Sequence, residues 1–237
     1  MKPQFPYPGR YYISQGYDAN PANVHYPSGH HGGMDIIPQV SATDSNHWPA
    51  PIFPILDGRT LAVANSDVDR GKGIKVRTLL SAAFVAYLKS KSVIPQAYTG
   101  SVYCDTLYWH CLMVTDLDGT INQNTPVGLT GNTGWVFAGG IEVPDYQKGV
   151  PPYPGLHLHL ETILTNGTTA FNLDKDYIGR IDPQIILDYP GDSMGQFKTQ
   201  NYKGELRIVL QSDDIENWKE LCKVYGVDPA HMDETVN

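Results

Sequence analysis

The sequence predicts a mainly β protein, and three observations indicate this fold class. The chain of 237 residues contains 18 prolines, 23 glycines and 15 tyrosines, a composition typical of many turns and short strands rather than long helices. Its apolar runs are short and are separated by turn residues. Hydrophobic residues make up 41% of the chain and charged residues 18%, which indicates a packed core.

The first half is predicted as short elements in sequence. Residues 1–30, rich in Pro, Tyr and Gly, predict extended segments joined by turns. Residues 50–66 carry an Asp-Gly turn between two apolar runs and predict a β-hairpin. A strand is predicted over 73–80, and an Ala- and Leu-rich helix follows it within 79–92.

The second half continues this pattern and then changes. Residues 101–119 predict one strand or a bulged pair, residues 135–154 a long proline-containing loop, and residues 156–164 a further strand. After residue 192 the composition shifts to a strand followed by an acidic helix start and an amphipathic helix. We therefore expect a main domain over 1–192 and a small α/β appendage over 193–237.

Charge, cysteines and hydropathy exclude several classes of function. The net charge of −8 argues against nucleic-acid binding, which depends on Lys and Arg neutralising phosphates. The three cysteines have neither the spacing of a disulfide framework nor that of a Cys-type zinc site. No apolar run is long enough for a membrane span, and the N-terminus lacks the apolar region of a secretory signal peptide.

Two histidines one residue apart, His157 and His159, are the first candidate site residues. They alternate with leucines in "LHLHLE", so in a strand both imidazoles project from one face. Such a pair suits one zinc ligand with a second imidazole beside it. A stacked pair without metal is the alternative.

Two further segments carry candidate residues. His31 and Asp35 are four residues apart in "HHGGMD", where two glycines allow the side chains to approach one point, and both residue types bind zinc. The alternative is a glycine turn with incidental polar residues. His110 lies between aromatic and apolar neighbours, and taken alone this position favours a buried histidine bonded to a backbone carbonyl over a functional one.

The order of these pieces carries a family resemblance. The segments "HGGMD" at 31–35, "YWH" at 108–110, "GNTG" at 131–134 and "GLHLH" at 155–159 follow one another. This ordered set resembles the lysostaphin-type (LytM) zinc endopeptidases over residues 12–190. The resemblance implies an antiparallel β-sheet that floors a groove walled by loops.

Carried over by position, the resemblance implies a role for each candidate. The Zn²⁺ ligands would be His31, Asp35 and His159, and the histidines that assist catalysis would be His110 and His157. His30 adjoins the motif, but the spacing assigns the ligand position to His31. Zinc acidifies a bound water, and a histidine titrates in the range needed to move its proton.

The function that this implies is hydrolysis of stem or cross-bridge peptides in bacterial peptidoglycan. Since no signal peptide is predicted, we expect a phage lysin or a virion-associated hydrolase, which reaches the cell wall at infection or at lysis and contacts other virion proteins. The alternative is a structural or partner-activating protein that keeps the fold without turnover. The loop aromatics Trp135, Tyr146 and Tyr153 are candidates for a substrate subsite or for loop packing.

The C-terminal appendage shows a weak second resemblance, to a partial LysM module. Ser212, Trp218 and Tyr225 fit the pattern of that sugar-binding domain, but the closing strand is missing. If real, it implies binding of N-acetylglucosamine chains. A helical appendage packed on the main domain or on a partner is the alternative.

Overall fold

The computed structural model describes residues 1–7, 9–19, 30–39, 48–66, 70–115, 119–171, 179–190, 199–202 and 205–208. Within these ranges, no helix has the length and apolar character needed to cross a bilayer. Most of the predicted appendage over 193–237 lies outside the described residues, as do Ser212, Trp218 and Tyr225. The LysM resemblance and the domain boundary stay predictions.

Strands dominate the described chain, and two helices interrupt them. The elements are β1 Arg10–Gln15, β2 Met34–Gln39, β3 Pro51–Ile52, β4 Gly58–Ala64, β5 Lys72–Leu79, α1 Ala82–Ser90, β6 Tyr103–Cys111, β7 Met113–Val114, β8 Thr120–Ile121, β9 Gly128–Leu129, β10 Phe137–Ala138, β11 Ile141–Glu142, β12 Leu158–Thr165, β13 Arg180–Ile181, α2 Pro183–Leu187, β14 Thr199–Tyr202 and β15 Glu205–Ile208.

The main sheet has eight strands in the order β1-β2-β12-β6-β5-β4-β8, with β13 added beside β12. Every pairing in it is antiparallel. A smaller antiparallel sheet has the order β3-β9-β7. The prediction of a mainly β, antiparallel fold is confirmed. Strands β2, β12 and β6 lie side by side at the middle of the main sheet, although they come from distant parts of the sequence.

Strand β12 shows why this sheet has one apolar and one polar face. Leu158, Leu160 and Leu164 are fully buried on one face and join the hydrophobic core. His159 and Glu161 alternate with them and project from the opposite face. The core therefore fixes the direction in which the polar side chains point.

The predicted helix within 79–92 is present as α1. The Ser81 side chain accepts a hydrogen bond from the Phe84 backbone N–H at 3.2 Å and caps the helix start. Phe84 and Leu88 are fully buried, and the Phe84 ring stacks on Tyr189 with 3.9 Å between ring centroids. Helix α1 thus packs into the core rather than projecting from it.

The predicted hairpin over 50–66 is wrong, although both of its apolar runs are strands. The first run forms β3 and pairs with β9, whereas the second forms β4 and pairs with β5. Asp57 bonds other segments instead of closing a two-residue turn: its carbonyl accepts from Thr78 Oγ1 at 2.7 Å and its carboxylate accepts from Gln123 N at 2.7 Å. A local apolar pattern identifies strands but not their partners.

The predicted loop over 135–154 contains structure of its own. β10 and β11 form a short hairpin, and a 3₁₀ turn covers Asp145–Gln147. Asn132 anchors this segment to the rest of the fold, as described below.

Candidate metal centre

Two neighbouring strands bring His31, Asp35 and His159 together. Asp35 lies in β2 directly opposite His159 in β12, so their side chains share a face. His31 precedes β2 by three residues and is 1% exposed. Gly33 permits this arrangement, because a Cβ there would lie 2.5 Å from the Leu160 carbonyl and 2.9 Å from His159 Nε2.

Three ligand-type atoms form a tight triangle. His31 Nε2 lies 3.0 Å from Asp35 Oδ1, His159 Nδ1 lies 2.8 Å from the same oxygen, and the two nitrogens are 2.9 Å apart. Among the described residues, this is the group of His, Cys, Asp and Glu side chains close enough to hold a metal ion. The sequence thus selected the residues that the fold brings together.

The remaining ring nitrogens of the two histidines are held by acceptors. His31 Nδ1 donates to the Gly16 carbonyl at 2.9 Å, and His159 Nε2 donates to Glu161 Oε1 at 3.1 Å. A carbonyl or carboxylate can only accept, so each of these nitrogens carries its proton. His31 Nε2 and His159 Nδ1 are therefore the atoms oriented to bind a metal.

This donor set fits zinc. Two imidazole nitrogens and one carboxylate oxygen are a common catalytic combination, and three protein ligands leave a fourth position for water or substrate. Tetrahedral bonds of 2.0–2.2 Å place ligand atoms roughly 3.3 Å apart. The present separations are within about half an ångström of that spacing, which small side-chain rotations can supply.

The hydrogen bonds of the triangle shift the pKa values of Asp35 and His159 in opposite directions. Burial would raise the pKa of Asp35, but neighbouring His157 and the hydrogen bonds from His159 and His31 outweigh it and hold that pKa well below its usual value. Burial would lower the pKa of His159, but hydrogen bonds to Asp35 and Glu161 raise it to about 9. Metal binding must therefore displace a proton from His159.

His110 and His157 flank the triangle on the same side. Their ring centroids are 4.7 Å apart, and the His110 ring lies 5.8 Å from that of His159. His110 Nδ1 donates to the Thr133 carbonyl at 2.9 Å, and His157 Nδ1 donates to the Gly155 carbonyl at 2.7 Å. Each ring therefore offers only its Nε2 to the site.

Burial lowers the pKa of both flanking histidines, and for His110 the nearby His157 and His159 lower it further. Both rings are thus neutral at pH 7, with a lone pair on Nε2. The His157 Nε2 lies 3.6 Å from Asp35 Oδ1. Two proton acceptors therefore stand next to the three ligand-type atoms.

His110 reaches this position through an unusual backbone conformation. Strict alternation along β6 would put its side chain on the same face as buried Tyr108, away from Trp109, which pairs with His159. The φ of His110 is +63°, in the left-handed region, and the β5–β6 register shifts nearby. This break in the strand turns the imidazole toward the site.

The "GNTG" segment at 131–134 is hydrogen-bonded to the segments that carry His110 and His157 and to the 135–154 loop. The Gly131 carbonyl accepts from the His157 backbone N–H at 3.1 Å, and the Thr133 hydroxyl donates to the Cys111 carbonyl at 2.7 Å. Asn132 is fully buried; its Nδ2 donates to the Pro154 carbonyl at 2.9 Å, and its Oδ1 accepts from the Gly149 N–H at 2.7 Å. Asn132 thus anchors the 135–154 loop beside the two histidines.

Sequence reasoning missed three residues that support the centre. Glu161 is 1% exposed and accepts from Arg180 Nε at 2.7 Å and from Arg70, as well as from His159. Burial would raise the pKa of Glu161, but His159 and then the two arginines lower it to about 2. The alternation His157, His159, Glu161 carried the signal, since all three project from one face.

The other candidates lie apart from the triangle. The His30 side chain is 48% exposed, and its Nδ1 lies 3.3 Å from Asp18 Oδ1, so it is His31 that enters the cluster. In the loop, Trp135 and Tyr146 are 39% and 77% exposed. The Tyr153 ring lies 6.4 Å from that of Trp48. The structure thus leaves Trp135 and Tyr146 open to solvent and packs Tyr153 against another aromatic ring.

Comparison with known proteins gives distant structural similarity. No protein-family model matches the sequence, and no curated protein matches it. A zinc-containing peptidase from Vibrio cholerae matches over 75% of this chain and 37% of its own, with 17% identity and a TM-score of 0.40. The lysostaphin catalytic domain from Staphylococcus simulans matches over 75% of this chain and 92% of its own, with 15% identity and a TM-score of 0.42.

A third similar structure is the catalytic domain of the prophage-encoded M23 protein EnpA from Enterococcus faecalis. It covers 80% of this chain and 98% of its own, with 14% identity and a TM-score of 0.42. This chain thus spans about a third of the Vibrio protein and most of the two catalytic domains. At such low identity and score the similarity carries no weight for activity, and the case for a function rests on the site's own residues.

Proposed function

We propose that this protein is a zinc-dependent metalloendopeptidase that hydrolyses peptide bonds in bacterial peptidoglycan. One observation carries the proposal: His31 Nε2, Asp35 Oδ1 and His159 Nδ1 lie 2.8–3.0 Å apart, with two neutral histidines on the same side. These three atoms would hold the zinc ion. When bound, zinc acidifies a water molecule and polarises the scissile carbonyl.

The flanking histidines supply the proton transfers of amide hydrolysis. A water that attacks a carbonyl must lose a proton, and the leaving amine must gain one. His110 and His157 each present an unprotonated Nε2, because their Nδ1–H groups are committed to backbone carbonyls. Once protonated, the same Nε2–H can donate to the leaving nitrogen or to the developing oxyanion.

Support from outside the triangle orients the ligands. Glu161 holds the His159 ring through Nε2, and the two arginines hold Glu161. The Gly16 carbonyl holds His31 in the same way. A centre whose histidine ligands are held in orientation loses little entropy when the metal binds, as a catalytic zinc site requires.

The choice of peptidoglycan as substrate is supported by the ordered motifs of the resemblance. On this proposal the protein acts at the bacterial cell wall, either as a phage lysin released at host lysis or as a hydrolase carried by the virion. Contact with N-acetylglucosamine chains through 193–237 is the further proposal from the LysM resemblance.

The test is zinc content together with cleavage. We expect about one zinc per chain by plasma mass spectrometry, and release of new amino groups from purified peptidoglycan. In His159→Ala we expect both to be lost. His30→Ala is the matched control, since this neighbouring histidine lies outside the triangle and its variant should keep both.

Each contrary outcome has a distinct meaning. Zinc retained in His159→Ala would refute the assigned ligand set. Zinc binding without amine release by the wild type would favour the alternative, a structural or partner-activating protein without turnover.

A further inference from the structure

The sheet face that carries His159 continues past the triangle as a row of charged side chains. Glu161 lies two residues along β12, and Asp105 lies opposite Ile163, two residues further. Since positions i, i+2 and i+4 share a face, both carboxylates project on the same side as the triangle. Four cations surround them, and we call these the cation row: Arg70, Lys75, Arg77 and Arg180.

The two carboxylates of this face are paired with the cation row. Glu161 accepts from Arg70 and Arg180, and Asp105 accepts from Arg77 and Lys75. The side chains of both acids are at most 2% exposed. Four cations thus lie on this part of the sheet face, although the whole chain has a net charge of −8. A cation of this row that keeps exposed donors can attract an anionic group.

Arg70 and Arg77 differ in how many of their guanidinium N–H groups bond to the protein. Arg77 is 15% exposed and uses Nε and Nη2 on Asp105 and Nη1 on the Gly167 carbonyl. The Arg70 side chain is 50% exposed, and its hydrogen bonding within the described structure is to Glu161 through Nη1. Its guanidinium carbon lies over the Trp109 ring, 5.8 Å from the ring centre, which is a cation–π contact. Arg70 therefore presents N–H donors to solvent on the sheet face that carries His159.

Arg70 also stands next to the reacting groups. Its carbonyl accepts from the His110 backbone N–H at 3.3 Å, and its side chain meets the same Glu161 oxygen that His159 Nε2 contacts. One residue of an extended peptide spans about 3.3–3.6 Å. The Arg70 guanidinium is thus about two substrate residues away from the ligand atoms.

We propose that Arg70 binds a carboxylate of the substrate peptide, about two residues from the bond that is cleaved. The substrate is then an acidic stem peptide rather than an uncharged glycine bridge. This inference rests on the proposed function and specifies its substrate class. In a lysine-type stem the internal carboxylate is that of D-isoglutamate, and amidation to D-isoglutamine removes its charge. Arg70 pairs with a carboxylate but gains much less from an amide.

The experiment compares two synthetic stem peptides that differ in one group. Both have the sequence L-Ala-D-isoGlu-L-Lys-D-Ala-D-Ala with an amidated C-terminus, and in one the D-isoglutamate is replaced by D-isoglutamine. The zinc-loaded wild type supplies kcat/KM, and the zinc-loaded His110→Ala variant, in which turnover should be slowed by about 10²–10⁴-fold, supplies Kd. We expect the carboxylate peptide to be favoured by about tenfold in both quantities.

Variants separate recognition from general effects. Arg70→Gln should lose the preference, whereas Arg70→Lys should keep part of it. Lys91→Gln removes an equal, exposed charge next to α1 and should keep the full preference. If Arg70 merely positioned Glu161, Arg70→Gln would lower zinc content and weaken both peptides equally, and that result would overturn the proposal.

Failure of this inference and failure of the proposed function look different. Equal Kd values for the two peptides overturn the role of Arg70, whether or not either is cleaved. A preference in Kd with no cleavage of either peptide leaves Arg70 as a carboxylate-binding residue and refutes the peptidase function alone.

Discussion

Two buried aspartates on the same sheet face, Asp35 and Asp105, have opposite surroundings. Asp35 faces imidazoles: its Oδ1 lies 2.8 Å from His159 Nδ1 and 3.0 Å from His31 Nε2. Asp105 faces permanent cations: Arg77 donates to both its oxygens at 2.6 and 2.8 Å, and Lys75 lies 2.9 Å from it. Both carboxyl groups have pKa values below their usual range, although burial acts to raise them.

The comparison shows that a buried carboxylate becomes a candidate ligand through its neighbours. Arg and Lys can only donate, so they occupy both oxygens of Asp105 and surround it with positive charge that repels a metal ion. A histidine whose second nitrogen is held by an acceptor offers a lone pair instead, so Asp35 and its partners can share a cation. Glu161 is intermediate, because it binds one ligand histidine and two arginines.

The largest expected effect separates the two aspartates by metal content. Asp35→Asn should abolish zinc binding, because the carboxamide is a poor ligand and removes the negative charge that offsets the ion. Asp105→Asn should keep about one zinc per chain, because this carboxylate meets only cations. Plasma mass spectrometry on both purified variants measures this. Zinc loss from Asp105→Asn in folded protein would refute the contrast.

The next effect tests whether the flanking histidines act on protons rather than on the metal. His110→Ala should lower kcat by about 10²–10⁴-fold, the usual contribution of a general acid–base group. Its zinc content should be unchanged, since His110 lies outside the triangle. Amine release from peptidoglycan and metal content are measured on the same samples. Activity near that of the wild type would exclude His110 from the chemistry.

The third effect concerns stability at Asp105. Asp105→Asn should lower the free energy of unfolding by about 2–3 kcal/mol at pH 7, because it leaves Arg77 and Lys75 half-buried without their carboxylate. The folded pKa of Asp105 is depressed, so the stabilisation is complete above the usual value of 3.8 and is lost as pH falls through the folded pKa.

Denaturant unfolding of wild type and Asp105→Asn at pH 7, 4 and 2.5 measures the pH dependence. The gap between the two should narrow as the pH falls below 3.8 toward the lowered folded pKa of Asp105, because protonation removes the charge that distinguishes the carboxyl from the amide. A gap that stays constant over this range would show that packing, and not charge, accounts for the effect of Asp105.

The smallest expected effect is at Glu161, which binds both a ligand histidine and arginines. Glu161→Gln should raise the zinc Kd by about 10–100-fold, because His159 keeps its ring position but loses a charged acceptor at Nε2. Competition with a chelator at pH 7 measures the Kd, and the conserved shape of the side chain keeps the core intact. An unchanged Kd would mean that the arginines, rather than His159, are the functional partners of Glu161.

Several features of the site follow from local sequence rules. The alternation in "LHLHLE" puts His157 and His159 on one face whatever the partner strand, because side-chain direction repeats every two residues. The glycine at Gly33 between His31 and Asp35 allows the close approach that the structure contains. The roles assigned to these residues stay predictions until zinc and activity are measured.

Other features were beyond sequence reasoning. Strict alternation puts His110 on the core face, and only its left-handed backbone turns it to the site. The sequence predicts a hairpin from the two strands around Asp57, but they belong to different sheets. Arg70 and Arg180 converge on Glu161 from segments 91 and 19 residues away, with no motif to indicate it.

Residue types and their spacing are enough to predict the β-rich class, the positions of the central strands and helix and, except at His110, the faces on which strand side chains lie. These depend on residue propensity and on a two-residue period, which act within a few neighbouring residues. Tertiary structure alone decided which strands adjoin and which side chains share a ligand. His31 and His159 are 128 residues apart, and they meet only because β2 and β12 pair in one register. Strand register depends on core packing and inter-strand hydrogen bonds, to which both distant segments contribute.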